Sequence, residues 1–511
     1  MNITDISGSK KPTLLIAMDS AESSLIEQWT SNGRLPTLKS LKDKGIYGRL
    51  SSTARWYSGS VWPTFYTGTL PSVHNIYHSL EWNPIRMKVE PPNPNWLPAR
   101  PFWRRPEFRN LKTIALDIPM TYETESINGL EISGLVTNDR LSENSFYPKA
   151  LAKWVKSKLG NPPIILEPHG NINAKSLIGL KRKLLESIEY MERLALTILD
   201  SEKSDLFIMS FSATHTAGHK LWDLSSLTNG ITDVQRHDLS DSLYEIYSAC
   251  DKAIANILKK FGVDCNVIVF SLHGMGSNNS KSPILDIMVS RVLDSYERID
   301  VTKNLLNKLR LAIPNDYRHY IKSRLPFGLQ GELTNFWRKH DYTKSPVINM
   351  VMDLQGYLNI NLHGRERDGI IEPGRQFDEL CKKIIDGLYS FKDTGTGIHI
   401  VGNIVHSKEV FPTDREWYYL PDLVINWTDL DDNMDFMAVS EKYGTIEWPT
   451  PGYSPDGRSG NHRFEGFVIA NIANSTRFSN NINGHIMDLA PTVYQLMGIP
   501  IPSDIKGKPL F

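Results

Sequence analysis

VIVFSLHGMGSN, residues 267–278, is the stretch on which the fold turns. Four apolar residues, three of them β-branched, lead into Ser271, Leu272 and His273, and Gly274 follows at once. That pattern describes a strand buried on both faces that stops at a tight turn. Strands of this kind belong to parallel sheets covered by helices. His273 then stands at the carboxyl end of its strand, where such sheets bind ligands. Taken alone, it reads equally well as a core histidine at a strand end.

Outward from this stretch the pattern repeats in TLLIAMD (13–19), LKTIALDIP (111–119), DLFIMSF (205–211), PVINMVM (346–352), DLVINW (422–427) and GFVIANI (466–472). Helical periodicity lies between several of them: SLIEQWTSNG (24–33), LPTLKSLKDKG (35–45, closed by a glycine in the C′ position), the stretch 175–201, and SLYEIYSACDKAIANILKKFG (242–262). The alternation predicts an α/β fold with a mainly parallel central sheet sandwiched by helices. No internal repeat or low-complexity tract interrupts it, and the length suits one large α/β domain or two ordinary ones. The Pro-, Trp- and Arg-rich segment 82–110 and the basic, helical segment 276–345 read as insertions that cap the ligand crevice and select substrate.

Composition narrows the function. The 511 residues are 40% hydrophobic, enough for a large core. Lys plus Arg and Asp plus Glu both number 57, so the net charge is zero. No field of one sign recommends a nucleic acid polymer or an anionic membrane, and an anionic ligand must be held by a local site. Cys250, Cys265 and Cys381 are odd in number and dispersed, which argues against a disulfide framework and for a reducing compartment. The N-terminal MNITDISGSKKP lacks the apolar run of a signal peptide, and no window approaches the roughly 18 apolar residues of a membrane span. A soluble, cytoplasmic protein is expected.

The strand ends carry the chemistry. The first ends at Asp19; the third runs into SATHTAGHKLW, with His215 and His219; the fourth ends at His273; GRSGNHRFEG, before the last strand, carries His462. A parallel sheet gathers them on one edge, and imidazole with carboxylate is the ligand set of zinc-like or manganese-like ions. A further stretch, RWYSGSVWPTFYTGTLPSVHNIY (55–77), sets serines before a helix-like run. A hydroxyl there is either a helix cap or a group presented to an anion at a helix start.

The sequence resembles the alkaline phosphatase superfamily, in its type I phosphodiesterase/nucleotide pyrophosphatase-like and phosphomutase-like branch. The likeness is carried by MDSAESSLIEQWTSNGRLPTLKSLKDKGIYGRLSST (18–53), by GHIMDLAPTVYQLMGIPIPSDIKGKPLF (484–511), and by motifs between them in the family's order, and it implies a single catalytic domain over residues 12–511. The resemblance implies a metal-binding Asp19 and a nucleophile at Ser58, nine residues before Thr67, with Ser60 the near alternative. It sets the family's DxxGH-type motif on His215 to His219, its SDHGM motif on Ser271 to Met275, and its late GxH motif on Gly460 to His462. Two departures stand out: the family's aspartates are replaced by His215 and Leu272. The implied ligand sets are therefore His215, His219 and His462 for one ion, and Asp19, His273 and Ser58 for another. Since leucine cannot ligate, one or two divalent cations fit, zinc first and manganese second. Neither the proline nor the arginine of a sulfatase C/S-x-P-x-R pattern follows Ser58, which argues against a formylglycine sulfatase.

The implied activity is metal-dependent hydrolysis of phosphate esters, phosphodiesters above all, through a phosphoseryl intermediate on a small phosphorylated substrate. The alternatives are a transferase of phospho or sulfo groups, and a pseudoenzyme of the same fold that binds an anionic metabolite or a partner. Asn138 and Asp139, in SGLVTNDR, read as substrate-binding residues or as a turn, and Asp139 is also a stand-in for the missing carboxylate. His74 and His78 read as structural, Arg104 and Arg105 as a solvated loop rather than a phosphate clamp, and Trp62 and Trp82 as pocket walls.

Overall fold

The structure, a computed structural model, describes residues 10–92, 100–137, 141–169, 172–225, 227, 231–293, 325, 329, 342–350, 354–413, 419–429, 437–447, 457–473 and 481–511. Asn138 and Asp139 lie outside the described residues, as does most of 276–345.

A nine-stranded sheet forms the centre. Thr13–Met18 pairs in parallel with Leu206–Phe211 on one side and Asn266–Ser271 on the other. Thr113–Leu116 and Gly129–Ser133 extend one wing in parallel, and Ser145–Tyr147 closes it antiparallel. On the other wing Glu465–Asn471 runs antiparallel between Asn266–Ser271 and Ile46–Ser51, and Asn481–His485 lies parallel to the latter at the edge. The expected mainly parallel α/β sheet is present.

Every residue of Thr13–Met18 is buried, as a strand covered on both faces requires. Its side chains alternate between two cores. Leu14, Ile16 and Met18 pack with Ile26, Leu38, Leu184 and Ile254 of the helices Ser23–Ser31, Pro36–Lys44, Ala174–Ser201 and Ser242–Phe261. Leu15 and Ala17 face Val61, Phe65, Val493 and Tyr494 of Val61–Thr67 and Leu489–Leu496. Each fully buried Leu or Ile contributes roughly 1.5–3 kcal/mol, so the apolar runs that predict the strands also hold the two helical layers on. Gly45 does close the helix Pro36–Lys44, though with φ −128° rather than a left-handed cap. A Cβ there would sit 2.1 Å from the Ala470 carbonyl oxygen, so close approach of the chain to the last long strand is what calls for glycine.

Two of the expected strands lie elsewhere. Val347–Met350 and Leu423–Trp427 join Gly356–Ile360 and Val401–His406 in a separate antiparallel sheet. The helices Ser282–Val292 and Arg375–Tyr389 share its core through Leu285, Met288, Ile384 and Leu388. A short apolar run reads the same in either kind of sheet, and periodicity does not tell the two apart. Conversely Ile46–Ser51 and Gly129–Ser133 carry too little apolar sequence to announce themselves. Arg104 and Arg105, within the segment 82–110, do not lie in a solvated loop. Trp103, Arg104 and Phe108 are buried, and Arg104 lies 3.0 Å from both carboxylate oxygens of Glu131. Arg105 pairs with Asp504 at 2.7 Å. Neither arginine is a loop cation or a phosphate clamp; both tie this segment to the main body. Among the described residues, no helix is long and apolar enough to cross a membrane.

Candidate active site

The carboxyl edge of the central sheet carries the site, and the topology explains each arrival. Asp19 follows the first strand directly, its amide bonded to the Phe211 carbonyl of the neighbouring strand. Ser20 takes the left-handed region at φ 57°, which turns the chain sharply behind Asp19. The strand Leu206–Phe211 runs into the helix Ala213–Lys220, whose one-turn spacing stacks His215 and His219. His273 follows Asn266–Ser271. His462 reaches the same edge for a different reason. Its strand is antiparallel, so the residues before Glu465–Asn471, not after it, lie at the carboxyl ends of the parallel strands. A short ladder then pins it, with Met275 opposite His462 and Ser277 opposite Gly460.

The four imidazoles converge. Ring centres of His462 lie 4.5 Å from His273, 4.7 Å from His219 and 5.1 Å from His215. Ring nitrogens of His215, His219 and His462 all fall within 4.8 Å of one another. Two glycines allow this. A Cβ on Gly460 would lie 2.0 Å from the Gly218 carbonyl oxygen, and a Cβ on Gly218 2.5 Å from Met275 Cγ, so helix and ladder meet only with glycine at both places.

Protein partners fix the tautomers of two rings. His215 Nδ1 donates to Asp19 Oδ2 at 3.0 Å, and His219 Nδ1 donates to the Gly460 carbonyl at 3.0 Å. In the neutral rings both Nε2 atoms then carry lone pairs, and they face each other at 3.0 Å. Two lone pairs so placed repel unless a cation is shared between them, either a proton in an N–H···N bond or a metal ion. This donor set, with His462 beside it, fits a divalent metal of the zinc type.

Asp19 is buried, and burial works against its ionisation; His215, His273 and Trp62 outweigh that and hold its carboxyl below the usual range. The Trp62 indole N–H donates to Asp19 Oδ1 at 3.1 Å. Burial pushes His273 down to about 4, against the pull of Asp19, so it is neutral near pH 7. Leu272 points into the apolar layer with Phe270 and Trp62 and is buried.

Ser58 shares the cleft with Asp19 and all four histidines. It opens a short turn, Ser58–Ser60, ahead of the seven-residue helix Val61–Thr67. Ser60 is committed inward: its hydroxyl donates to the Tyr57 carbonyl at 2.7 Å and lies 2.7 Å from Thr53 Oγ1 as well. Of the two hydroxyls in SGS, only that of Ser58 borders the cleft. Behind Gly59 the chain has no room, since a Cβ would lie 2.6 Å from the His78 Cα. The four residues before Ser58 are held by residues on, and next to, the strands of the second sheet. Gln355 Nε2 donates to the Ala54 and Arg55 carbonyls at 2.8 and 3.2 Å, and Tyr357 hydroxyl to the Trp56 carbonyl at 2.9 Å. Tyr57 bonds Ser407 through its hydroxyl and stacks on Phe411 at 5.5 Å.

Other residues distribute unevenly. Trp62 walls the cleft as expected, and so does His78, which reads as structural in the sequence; Trp82 packs against Tyr342 instead. His74 is structural, 3.0 Å from Thr64 Oγ1. The cleft also holds Glu167, Thr216, Thr137 and Arg458, none of them singled out by the sequence. Burial raises the Glu167 carboxyl, but Lys220 first, then Arg458, His215 and His169, outweigh it and hold it below the usual range. Lys220 and Arg458 could have been found, since they flank the His219 and His462 motifs; Glu167 sits in an irregular loop with no periodic signal.

An α/β sheet with its serine turn, histidine cluster and buried aspartate at one edge is the architecture of the alkaline phosphatase superfamily, whose members depend on metal ions. Within it, the chain belongs to the type I phosphodiesterase/nucleotide pyrophosphatase family, whose model matches residues 13–431. That family is one of phosphoester hydrolases. The fold is also that of phosphonoacetate hydrolase from Sinorhizobium meliloti 1021, solved with phosphonoformate, at 12% identity over 96% of both chains and a TM-score of 0.51. A second structure of that enzyme, with phosphonoacetate, has a TM-score of 0.48 at 12% identity and the same 96% coverage. No curated protein matches this chain.

Proposed function

We propose that the protein is a metal-dependent hydrolase of phosphate esters, phosphodiesters above all, with Ser58 as nucleophile and His215, His219 and His462 as the core of its metal site. The observation that carries this reading is the facing pair of Nε2 atoms 3.0 Å apart in the cleft that Ser58 borders. A divalent cation there supplies Lewis-acid charge, which lowers the pKa of a hydroxyl and stabilises negative phosphoryl oxygens. The chain's residues do the rest. Ser58 Oγ bonds to phosphorus as the bond to the leaving alkoxide breaks; the serine proton ends on the departing alcohol, and a phosphoserine ester remains. Water then adds to phosphorus and releases the acid, returning a proton to Ser58. Trp62 holds Asp19 from one side, and Thr216 donates to Glu167 at 3.3 Å, so neither carboxylate is bare in a cleft that must accept an anion. Arg458 adds positive charge to the wall.

Assays with bis(p-nitrophenyl) phosphate on the metal-loaded chain test the reading. Ser58→Ala is expected to lose on the order of 10⁴-fold or more in turnover with the fold intact, while Ser60→Ala keeps the chemistry and loses stability. Wild-type turnover in Ser58→Ala would refute the assignment.

A further inference from the structure

We infer that this site holds a single divalent cation, on His215, His219 and His462, and that Asp19 is a positioning residue that orients His215 rather than a ligand of a second ion. The inference rests on the metal-dependent reading above and goes beyond it. Every residue that the family resemblance assigns to a second ion, apart from Ser58, is turned to a protein partner. Asp19 spends one carboxylate oxygen on the His215 Nδ1–H at 3.0 Å and the other on the Trp62 indole N–H at 3.1 Å. His273 donates from Nδ1 to the Gly274 carbonyl at 3.2 Å, and its Nε2 lies 3.3 Å from the Ser20 hydroxyl. Leu272, at the remaining position, is 2% exposed and packs in the apolar layer beneath the sheet.

The two substitutions explain each other. An aspartate at 215 would repel Asp19 at this distance; a histidine there gives Asp19 an N–H to accept and aims its own Nε2 at His219. The result is a carboxylate–histidine–metal relay, in which the outer carboxylate fixes the ring's tautomer and orientation and raises its basicity. Losing the aspartate at 272 removes the second ion's remaining carboxylate. Both Asp19 oxygens already accept an N–H, so a second dication would find one engaged carboxylate and otherwise only neutral donors.

Calorimetric titration of the chelator-stripped full chain with zinc, with metal content measured by elemental mass spectrometry, tests this directly. One ion per chain at saturation is expected. Asp19→Asn should still bind one ion, with affinity about 10- to 100-fold weaker, and the visible spectrum of its cobalt form should shift as the His215 ring loses its acceptor. His273→Asn should leave the stoichiometry at one. Two ions in the wild type, with one lost in Asp19→Asn or His273→Asn, would overturn the single-ion site while leaving the hydrolase reading standing. No bound ion at all would instead overturn the metal-dependent reading, and this inference with it.

Discussion

At the histidine end of the cleft the backbone does the positioning: the Gly218 and Gly460 chains touch, the Met275–Ser277 ladder fixes His462, and a main-chain carbonyl sets the His219 tautomer. At the serine end the same task falls to side chains on, and next to, the strands of a different sheet. Gln355, Tyr357, Ser407 and Phe411 take hold of residues 54–57, and Ser58 follows directly. The contrast has a physical basis. A metal site needs several donors placed to within a few tenths of an ångström, which one helix turn and a short ladder packed glycine to glycine provide. A nucleophile needs one hydroxyl turned to the cleft, and the few main-chain bonds of this turn, from the Trp56 and Tyr57 amides to the Thr53 carbonyl and from the Ser60 amide to the Tyr57 carbonyl, are supplemented by side chains of its neighbours. Damage at the histidine end should therefore appear in metal binding, and damage at the serine end in the rate with metal retained.

The strongest way to break that comparison is to remove one histidine. His462→Ala should weaken metal binding by more than about 100-fold, read by calorimetry, while the circular dichroism of the folded chain stays unchanged. Unaltered affinity would mean that His462 is no ligand and that the two ends are not distinct. Glu81 offers a test from the serine side. It is fully buried, it accepts the Tyr77 and His78 amides at 2.6 and 3.0 Å, and burial pushes its carboxyl up to about 8. A raised folded value favours the protonated folded state. Glu81 therefore stabilises fully below about pH 4.5, and this contribution falls away as pH rises to about 8, by roughly 5 kcal/mol at most. Denaturant unfolding of Glu81→Gln should flatten the wild-type loss of stability across that window; a parallel curve would mean that Glu81 ionises freely in the fold.

Gly460→Ala sharpens the other side. Its Cβ would stand 2.0 Å from a backbone oxygen, so the ladder must shift. A loss of about 1–3 kcal/mol is expected, with metal affinity falling alongside it. Stability lost at full metal affinity would show the ladder to be irrelevant to the site. The smallest effect belongs to Tyr357→Phe, which removes a hydroxyl placed between the Trp56 carbonyl and Gln355 Oε1, worth about 1 kcal/mol. It should lower kcat several-fold with metal content and KM nearly unchanged. A change in metal content would instead couple the two ends.

The same contrast governs what the sequence reveals. Asp19, His215, His219 and His273 are legible because each ends a β-branched apolar run or begins the helix after one, and such runs announce buried parallel strands. His462 is legible as a residue, but the reason it reaches the site is not: only the antiparallel direction of Glu465–Asn471 puts the preceding loop at that edge. The serine end is hidden more deeply. SGS offers two hydroxyls of equal local standing, and what separates them is the bond between Ser60 and Thr53, a contact across a turn that no periodicity reports. Gln355 and Tyr357 lie about 300 residues beyond the carbonyls they hold. Arg104 reads as a loop cation because its partner, Glu131, arrives on another strand.

The central claim, that Ser58 attacks phosphorus and is then released by water, is tested most directly by stereochemistry. A phosphorothioate diester of known configuration at phosphorus, hydrolysed by the metal-loaded protein in ¹⁸O-labelled water, should give product with retained configuration, because two in-line displacements each invert the centre. Net inversion would mean that water attacks phosphorus in one step and that Ser58 is not the nucleophile.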